Sequence, residues 1–166
     1  MQIRLATPDD LSEIMLMIAH AKEQIAAYGS DQWQNGYPND QVILEDILTS
    51  RAFVGQDQMG HLLAYTAVIY GNETAYNAIY EGQWQNDNQQ YVTFHRIVVA
   101  KNYQGQGLAQ LFLQGLIEDS KHWDFRCDTH EKNVAMQALL MKLGYAYCGK
   151  VPLDGVRLAY QKLKEL

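Results

Sequence analysis

Val98-Val99-Ala100-Lys101-Asn102-Tyr103-Gln104-Gly105-Gln106-Gly107-Leu108-Ala109 is the stretch on which the fold turns. Upstream of it lies Tyr91-Val92-Thr93-Phe94-His95-Arg96-Ile97-Val98-Val99, a long strand-like run with a nearly continuous apolar end. Such a run reads as a strand central in its sheet. Downstream, Leu108, Leu111, Phe112 and Leu116 recur at helical spacing over 106–120. A strand ends, a turn follows, and a helix opens with two glycines in its first turn. Glycine inside a helix costs roughly 1 kcal/mol against alanine, so two of them there need a reason. Without side chains, the backbone lets a ligand approach closely. Exposed N–H groups at a helix start, with the helix dipole behind them, suit a phosphate or diphosphate. The plainer alternative is that both glycines serve tight packing of helix on strand.

Working outward, residues 2–6 form a short apolar strand, and Thr7-Pro8-Asp9-Asp10 reads as a helix start. Thr7 can cap, Pro8 fits the first turn, and Asp10 sits where a capping-box acid would. Leu11, Ile14, Met15, Ile18 and Ile25 then follow at helical spacing until Tyr28-Gly29-Ser30. Residues 31–39 read as a loop. A second helix over 39–49 carries Ile43, Leu44, Ile47 and Leu48. Strand-like runs at 51–55 and 61–70 are joined by a polar turn, as in a hairpin. Residues 71–90 form a polar, aromatic insertion with Tyr76, Tyr80 and Trp84, and such insertions are usually functional or mobile. Over 122–128, Trp123, Phe125 and Cys127 alternate with Asp124, Arg126 and Asp128, which predicts a strand with one buried face. A helix over 133–143 and strands at 145–151 and 155–162 complete the chain. The order β-α-α-β-β-β-α-β-α-β-β implies an α/β (α+β) fold with a mixed sheet and helices on both faces. The 166 residues suit one domain, 1–166.

The formal charge is −6, which argues against broad binding to nucleic acid or anionic membranes. It also means that an anionic ligand must be held by locally placed donors rather than by net charge. Acidity suits a cationic amine, although most acidic proteins are so for solubility. The two cysteines, Cys127 and Cys148, make no disulfide framework. Cys127 alternates with Trp123 and Phe125 and so points into the core. Cys127-x-x-His130 has no second pair at ligand spacing, so no metal site is expected. No run approaches eighteen apolar residues, and the N-terminus carries no cleavage signal. A cytoplasmic location is the default expectation.

The glycine stretch excludes two phosphate binders. A Walker loop needs Gly-Lys-Ser/Thr, but Leu108 follows Gly107. A dinucleotide fingerprint needs a third glycine at 110, where Gln110 stands. Gln104-Gly105-Gln106-Gly107-Leu108-Ala109 does match Gln/Arg-x-x-Gly-x-Gly/Ala. This resembles the diphosphate loop of the GCN5-related N-acetyltransferases (GNAT), whose element order agrees with this chain over nearly its whole length. The resemblance implies a mostly antiparallel central sheet of about seven strands with about four helices, and acetyl-CoA as cofactor. It implies that Ile97, Val98 and Val99 pair through their backbone with the pantetheine arm, by strand addition. Their N–H groups could also polarise the thioester carbonyl; plain core is the other reading of the valines. Gln104, Gly105, Gln106, Gly107, Leu108 and Ala109 would hold the diphosphate.

A second segment, Asn133 to Tyr145, resembles the family's Asn-x-x-Ala-x-x-x-Tyr-x-x-x-Gly-Phe. Asn133 would hydrogen-bond the cofactor arm, or act simply as a helix cap. Met136 takes the place of the alanine, Gly144 matches the glycine that ends the helix, and Tyr145 replaces Phe. Leu140 stands where many members have a tyrosine that protonates the leaving thiolate, and leucine cannot donate a proton. The chain is thus read as transferring an acetyl group to a primary amine of a small molecule or peptide by direct attack, with a catalytically weak acyl-CoA sensor as the alternative.

Attack by a neutral amine needs a proton acceptor with a pKa near working pH. His95, His130 and Asp128 are the candidates, each with a structural alternative: a half-buried histidine for His95 and a backbone-bonded loop histidine for His130. Tyr145, Tyr147, Tyr80 and Glu81 are weaker ones. Trp33, Tyr80 and Trp84, in the aromatic loops, would enclose the acceptor through cation–π contacts, or else cover the core beneath those loops. A homodimer, the commonest soluble oligomer, is the expected assembly if there is one.

Overall fold

A computed structural model describes residues 1–165 of the chain. Among them are seven strands and four α-helices: β1 (Gln2–Leu5), α1 (Leu11–Ala27), α2 (Asp40–Leu48), β2 (Ala52–Gln56), β3 (Leu62–Tyr70), β4 (Val92–Val99), α3 (Leu108–Asp119), β5 (Asp124–His130), α4 (Val134–Lys142), β6 (Ala146–Pro152) and β7 (Val156–Leu163). The strands make one sheet in the order β1-β2-β3-β4-β5-β7-β6. Strands β1/β2, β2/β3, β5/β7 and β6/β7 pair antiparallel, and β4/β5 run parallel through Val92↔Phe125 and Thr93↔Arg126. The expected mixed, mostly antiparallel sheet and its element order are therefore present.

Two compact units can be distinguished. The first is Met1–Val68 with His95–Leu116; the second is Ile69–Phe94 with the chain from Ile117 onward.

In the first unit, the Asp10 carboxylate accepts from the Thr7 amide at 2.7 Å and from both ends of the Arg4 fork at 2.8 and 2.9 Å. The Arg4 guanidinium holds this carboxyl below its ordinary range. A 3-10 turn at Pro8–Asp10 leads into α1, which buries Ile14, Met17, Ile18 and Ile25. Helix α2 starts where Asn39 Oδ1 accepts the Val42 amide at 3.0 Å. Its buried stripe is Ile43, Asp46 and Ile47, while Leu48, expected inside, is 68% exposed. Ile14, Ile18, Ile43, Val54, Tyr65 and Val98 meet in one core. Over the part of α3 in this unit the buried residues are Phe112 and Leu113, and Leu111 lies outside at 59% exposure.

In the second unit, β5 departs from the expected one-sided burial. Asp124 and Arg126 are as buried as Phe125 and Cys127, whereas Trp123 is exposed. Both charges are tolerated because they are paired. Arg126 Nη2 lies 3.3 Å from Asp124 Oδ2 and donates to Asn86 Oδ1 and the Asn88 carbonyl. Its guanidinium sits over the rings of Trp84 and Tyr91, at 4.6 and 4.1 Å from their centres. Gln161 Nε2 donates to Asp124 Oδ1 at 2.9 Å, and Gln161 Oε1 accepts the Gln85 amide. This network ties the 71–90 segment down. So does a two-way amide pair between Tyr80 and Lys150, both bonds at 2.9 Å. Tyr76 and Trp84 from the same segment pack with Tyr91, Val151 and Ala159.

Candidate functional site

The turn after β4 puts both glycines in the left-handed region, each at φ +75°. A Cβ placed on Gly105 or on Gly107 would meet nothing within 4 Å. Tight packing therefore does not account for them; backbone conformation does, and the space above them is open. Residues 104–107 are exposed. The Leu111 amide donates to the Gly107 carbonyl at 3.1 Å, making Gly107 the cap residue of α3. The amides of Leu108, Ala109 and Gln110 thus precede any intrahelical acceptor. Glycine has no side chain with which to satisfy them, and among the described residues no side-chain oxygen accepts from the amides of Gly105 to Gln110. Donors at a helix start, beneath open space, are what a diphosphate requires. Gln104 fixes the turn from behind. Its amide pairs reciprocally with that of Gln24 on α1, at 2.6 and 3.0 Å, and it donates to the Val99 carbonyl at 3.3 Å.

Strand β4 presents the segment before this turn. Val98 is 5% exposed and packs in the first core, so any ligand contact from it is through the main chain. Ile97 and Val99 are partly buried. Arg96 has φ +57°, which interrupts the strand with a left-handed residue. Thr66 Oγ donates to the His95 carbonyl at 2.9 Å. The Arg96 guanidinium is held by Asp46, with Nε to Oδ2 at 3.0 Å and Nη2 to Oδ1 at 2.7 Å, and Nη1 donates to Tyr37 Oη at 2.7 Å. Neither Asp46 nor the irregularity at Arg96 was foreseen. The available signal for Asp46 was an acid on the apolar stripe of α2, between Ile43 and Ile47.

The proton-transfer candidates separate on their surroundings. In the first unit, burial and the neighbouring Arg96 charge push His95 down to about 4. It is neutral near pH 7 but a weak base. In the second unit, His130 is 9% exposed and its Nδ1 accepts the Lys132 amide at 3.0 Å. Asp128 accepts from Tyr76 Oη at 2.5 Å. Burial pushes the Asp128 carboxyl above its ordinary value, while the Tyr76 hydrogen bond and the Arg157 charge pull it back.

Asn133 is partly buried, and its Oδ1 accepts the Met136 amide at 3.1 Å, so it caps α4. Met136 is partly buried, and Leu140 is fully buried. Tyr145 is 2% exposed, with its hydroxyl unpartnered among the described residues. Of the acceptor aromatics, Trp33 belongs to the first unit and packs against its core; Tyr80, 38% exposed, and Trp84 belong to the second. Cys127 lies wholly in the core with its thiol directed at the Phe94 carbonyl, and burial pushes that thiol up. Among the described residues no group of three metal-ligating side chains occurs. No described helix is long and apolar enough to cross a membrane.

The family model described as Acetyltransferase (GNAT) family matches residues 22–145. The chain belongs to the GNAT acetyltransferase family. A GNAT-family acetyltransferase from Streptococcus agalactiae 2603 is 61% identical, with a TM-score of 0.96, over 99% of this chain and 96% of that one. Two more distant structures share the GNAT fold. The ribosomal-protein-alanine N-acetyltransferase of Brucella melitensis is 21% identical, with a TM-score of 0.69, covering 98% of this chain and 99% of that one. The yncA protein of Salmonella typhimurium, solved with its cofactor acetyl-CoA, is 17% identical, with a TM-score of 0.69, covering 100% of this chain and 95% of that one. No curated protein matches. GNAT enzymes use acetyl-CoA.

Proposed function

We propose that this chain, as one acetyltransferase domain over 1–166, moves an acetyl group from acetyl-CoA to a primary amine of a small molecule or peptide by direct attack. The observation that carries this is the bare amide row at Gly105–Gln110 beneath open space. Those amides would hold the coenzyme's diphosphate, with Gln104, Gln106, Leu108 and Ala109 shaping the turn. The main chain of Ile97, Val98 and Val99 would align the pantetheine arm and donate to the thioester oxygen. Asn133 and Met136 would contribute a second contact to the arm, Asn133 through the amide nitrogen that its capping oxygen leaves available. When bound, acetyl-CoA supplies an acetyl group activated as a thioester.

Asp128 is the candidate for accepting the amine proton. Its carboxyl is displaced in the direction that makes it the stronger base, whereas His95 is displaced in the opposite direction. Tyr76 orients it. His95 and His130 are then substrate-facing or structural. Trp33, Tyr80 and Trp84 would flank the acceptor. With no activated nucleophile evident, no acyl-enzyme is required. The yncA complex with acetyl-CoA supports the choice of cofactor.

A sensor that binds acyl-CoA without turnover is the second reading, favoured by one observation: Leu140 is fully buried and offers no proton to a leaving thiolate. Thiol release from acetyl-CoA over a panel of amino acids, polyamines and short peptides decides between them. Release with any amine supports transfer; acetyl-CoA binding with no release across the panel supports the sensor. The same reading takes the cytoplasm as the compartment and a homodimer as the assembly, if there is one.

A further inference from the structure

We infer that Asp46 is a positioning residue of the acyl-transfer site: through the Arg96 guanidinium it holds both the left-handed turn of β4 and Tyr37 of the 31–39 segment. This rests on the acyltransferase reading above. A non-glycine residue at φ +57° inside a strand is strained, and it persists only where its surroundings over-determine it. Here they do. The Asp46 carboxylate receives the Arg96 Nε and Nη2 donors and, at 2.5 Å, the Tyr65 hydroxyl from β3. The side chains of Arg96 and Asp46 are 10% and 6% exposed, so water competes little for the pair.

Net stability is a poor explanation for such a pair, because a buried ion pair does little more for folding than apolar residues of the same volume. Its position is informative. Arg96 immediately precedes Ile97–Val99, and its φ sets the angle between the peptide planes on either side of it. A strand irregularity of this kind leaves main-chain groups out of the regular ladder and re-aims them. The remaining fork nitrogen, Nη1, reaches Tyr37, whose ring is 40% exposed in the loop that carries Trp33. One carboxylate on α2 thereby fixes the donor-side strand and a residue of the acceptor-side loop.

The test compares the unaltered protein with Asp46→Asn, Asp46→Glu and Tyr37→Phe. Acetyl-CoA affinity is measured by calorimetry. The kcat and acceptor KM are measured by thiol release, with the best amine of the panel. Failure of the unaltered protein to bind acetyl-CoA would overturn the acyltransferase reading itself, separately from this inference. The expected result is a kcat at least about 10-fold lower in Asp46→Asn with acetyl-CoA affinity lowered by less than about 3-fold, because the amides at 105–110 are untouched, partial recovery in Asp46→Glu, and an acceptor KM raised about 5-fold in Tyr37→Phe with kcat retained. Unaltered kcat in a folded Asp46→Asn protein would overturn the inference. Should that variant not fold, an unaltered acceptor KM in Tyr37→Phe, whose hydroxyl is at the surface, would overturn it.

Discussion

Gly107 caps α3 through its carbonyl, 3.1 Å from the Leu111 amide, yet brings no side chain to the amides that follow. An aspartate there would bring a carboxylate into the open space beside them. Gly107→Asp is expected to keep the fold, at a cost of about 1–2 kcal/mol for the left-handed backbone. It should abolish acetyl-CoA binding through charge and occupancy. Calorimetry with circular dichroism on the same samples checks this; a folded variant with unchanged affinity would contradict it.

Gly107→Ala separates conformation from occupancy. The added methyl meets nothing within 4 Å and carries no charge. Stability should fall by about 1 kcal/mol in urea unfolding. Affinity for acetyl-CoA should fall less than 10-fold if the methyl only narrows the space above the amides. Complete loss would show that the turn itself had changed.

The Tyr76 hydroxyl on Asp128 gives a signed pH prediction. That hydrogen bond lowers the carboxyl's pKa, so its removal in Tyr76→Phe raises it further. If Asp128 accepts the amine proton, the acid limb of kcat/KM against pH moves to higher pH, by up to about one unit. An unmoved acid limb would remove Asp128 from the role.

His95 gives a stability prediction. Its folded pKa, about 4, lies below the unfolded value of about 6.5, so the unfolded chain binds more protons between these limits. Stability from neutral His95 is present above pH 6.5 and is lost as pH falls toward 4. Asp128 acts in the opposite sense, because a raised carboxyl favours the folded state as it protonates. The measurement is thus a difference: His95→Gln should flatten the pH dependence of urea unfolding between pH 6.5 and 4. An identical slope in the variant would contradict the burial of a neutral imidazole.

Arg126 tests the second unit. Replacing it with methionine leaves Asp124 buried without its partner, which typically costs about 3–5 kcal/mol. Arg126→Lys should also destabilise, since an ammonium cannot reproduce the planar guanidinium that lies over the rings of Trp84 and Tyr91 while Nη2 donates to Asn86 and Asn88. Urea unfolding within 1 kcal/mol of the unaltered protein, taken as roughly the precision of the method, would contradict this.

What could be read from the amino acids follows from which interactions are local. The turn at 104–109 was legible because glycine spacing encodes backbone conformation directly, and both glycines stand at positive φ. Helix faces were legible where apolar residues dominate, as at Ile14 and Ile18. They failed at Leu48 and Leu111, where helical spacing cannot tell a stripe's edge from solvent. Alternation misled at β5, because Asp124 and Arg126 are buried against partners from 86–88 and 161, far away in the chain. Asp46 and the left-handed Arg96 were hidden for the same reason: residues fifty positions apart satisfy each other only after folding.

The most direct measurement compares calorimetric binding of acetyl-CoA with that of acetyl-pantetheine, which carries the same thioester but no diphosphate. If the amides of residues 105–110 grip the diphosphate, acetyl-CoA binds at least about 100-fold more tightly, a difference of about 2.7 kcal/mol. Equal affinity for the two thioesters would contradict it.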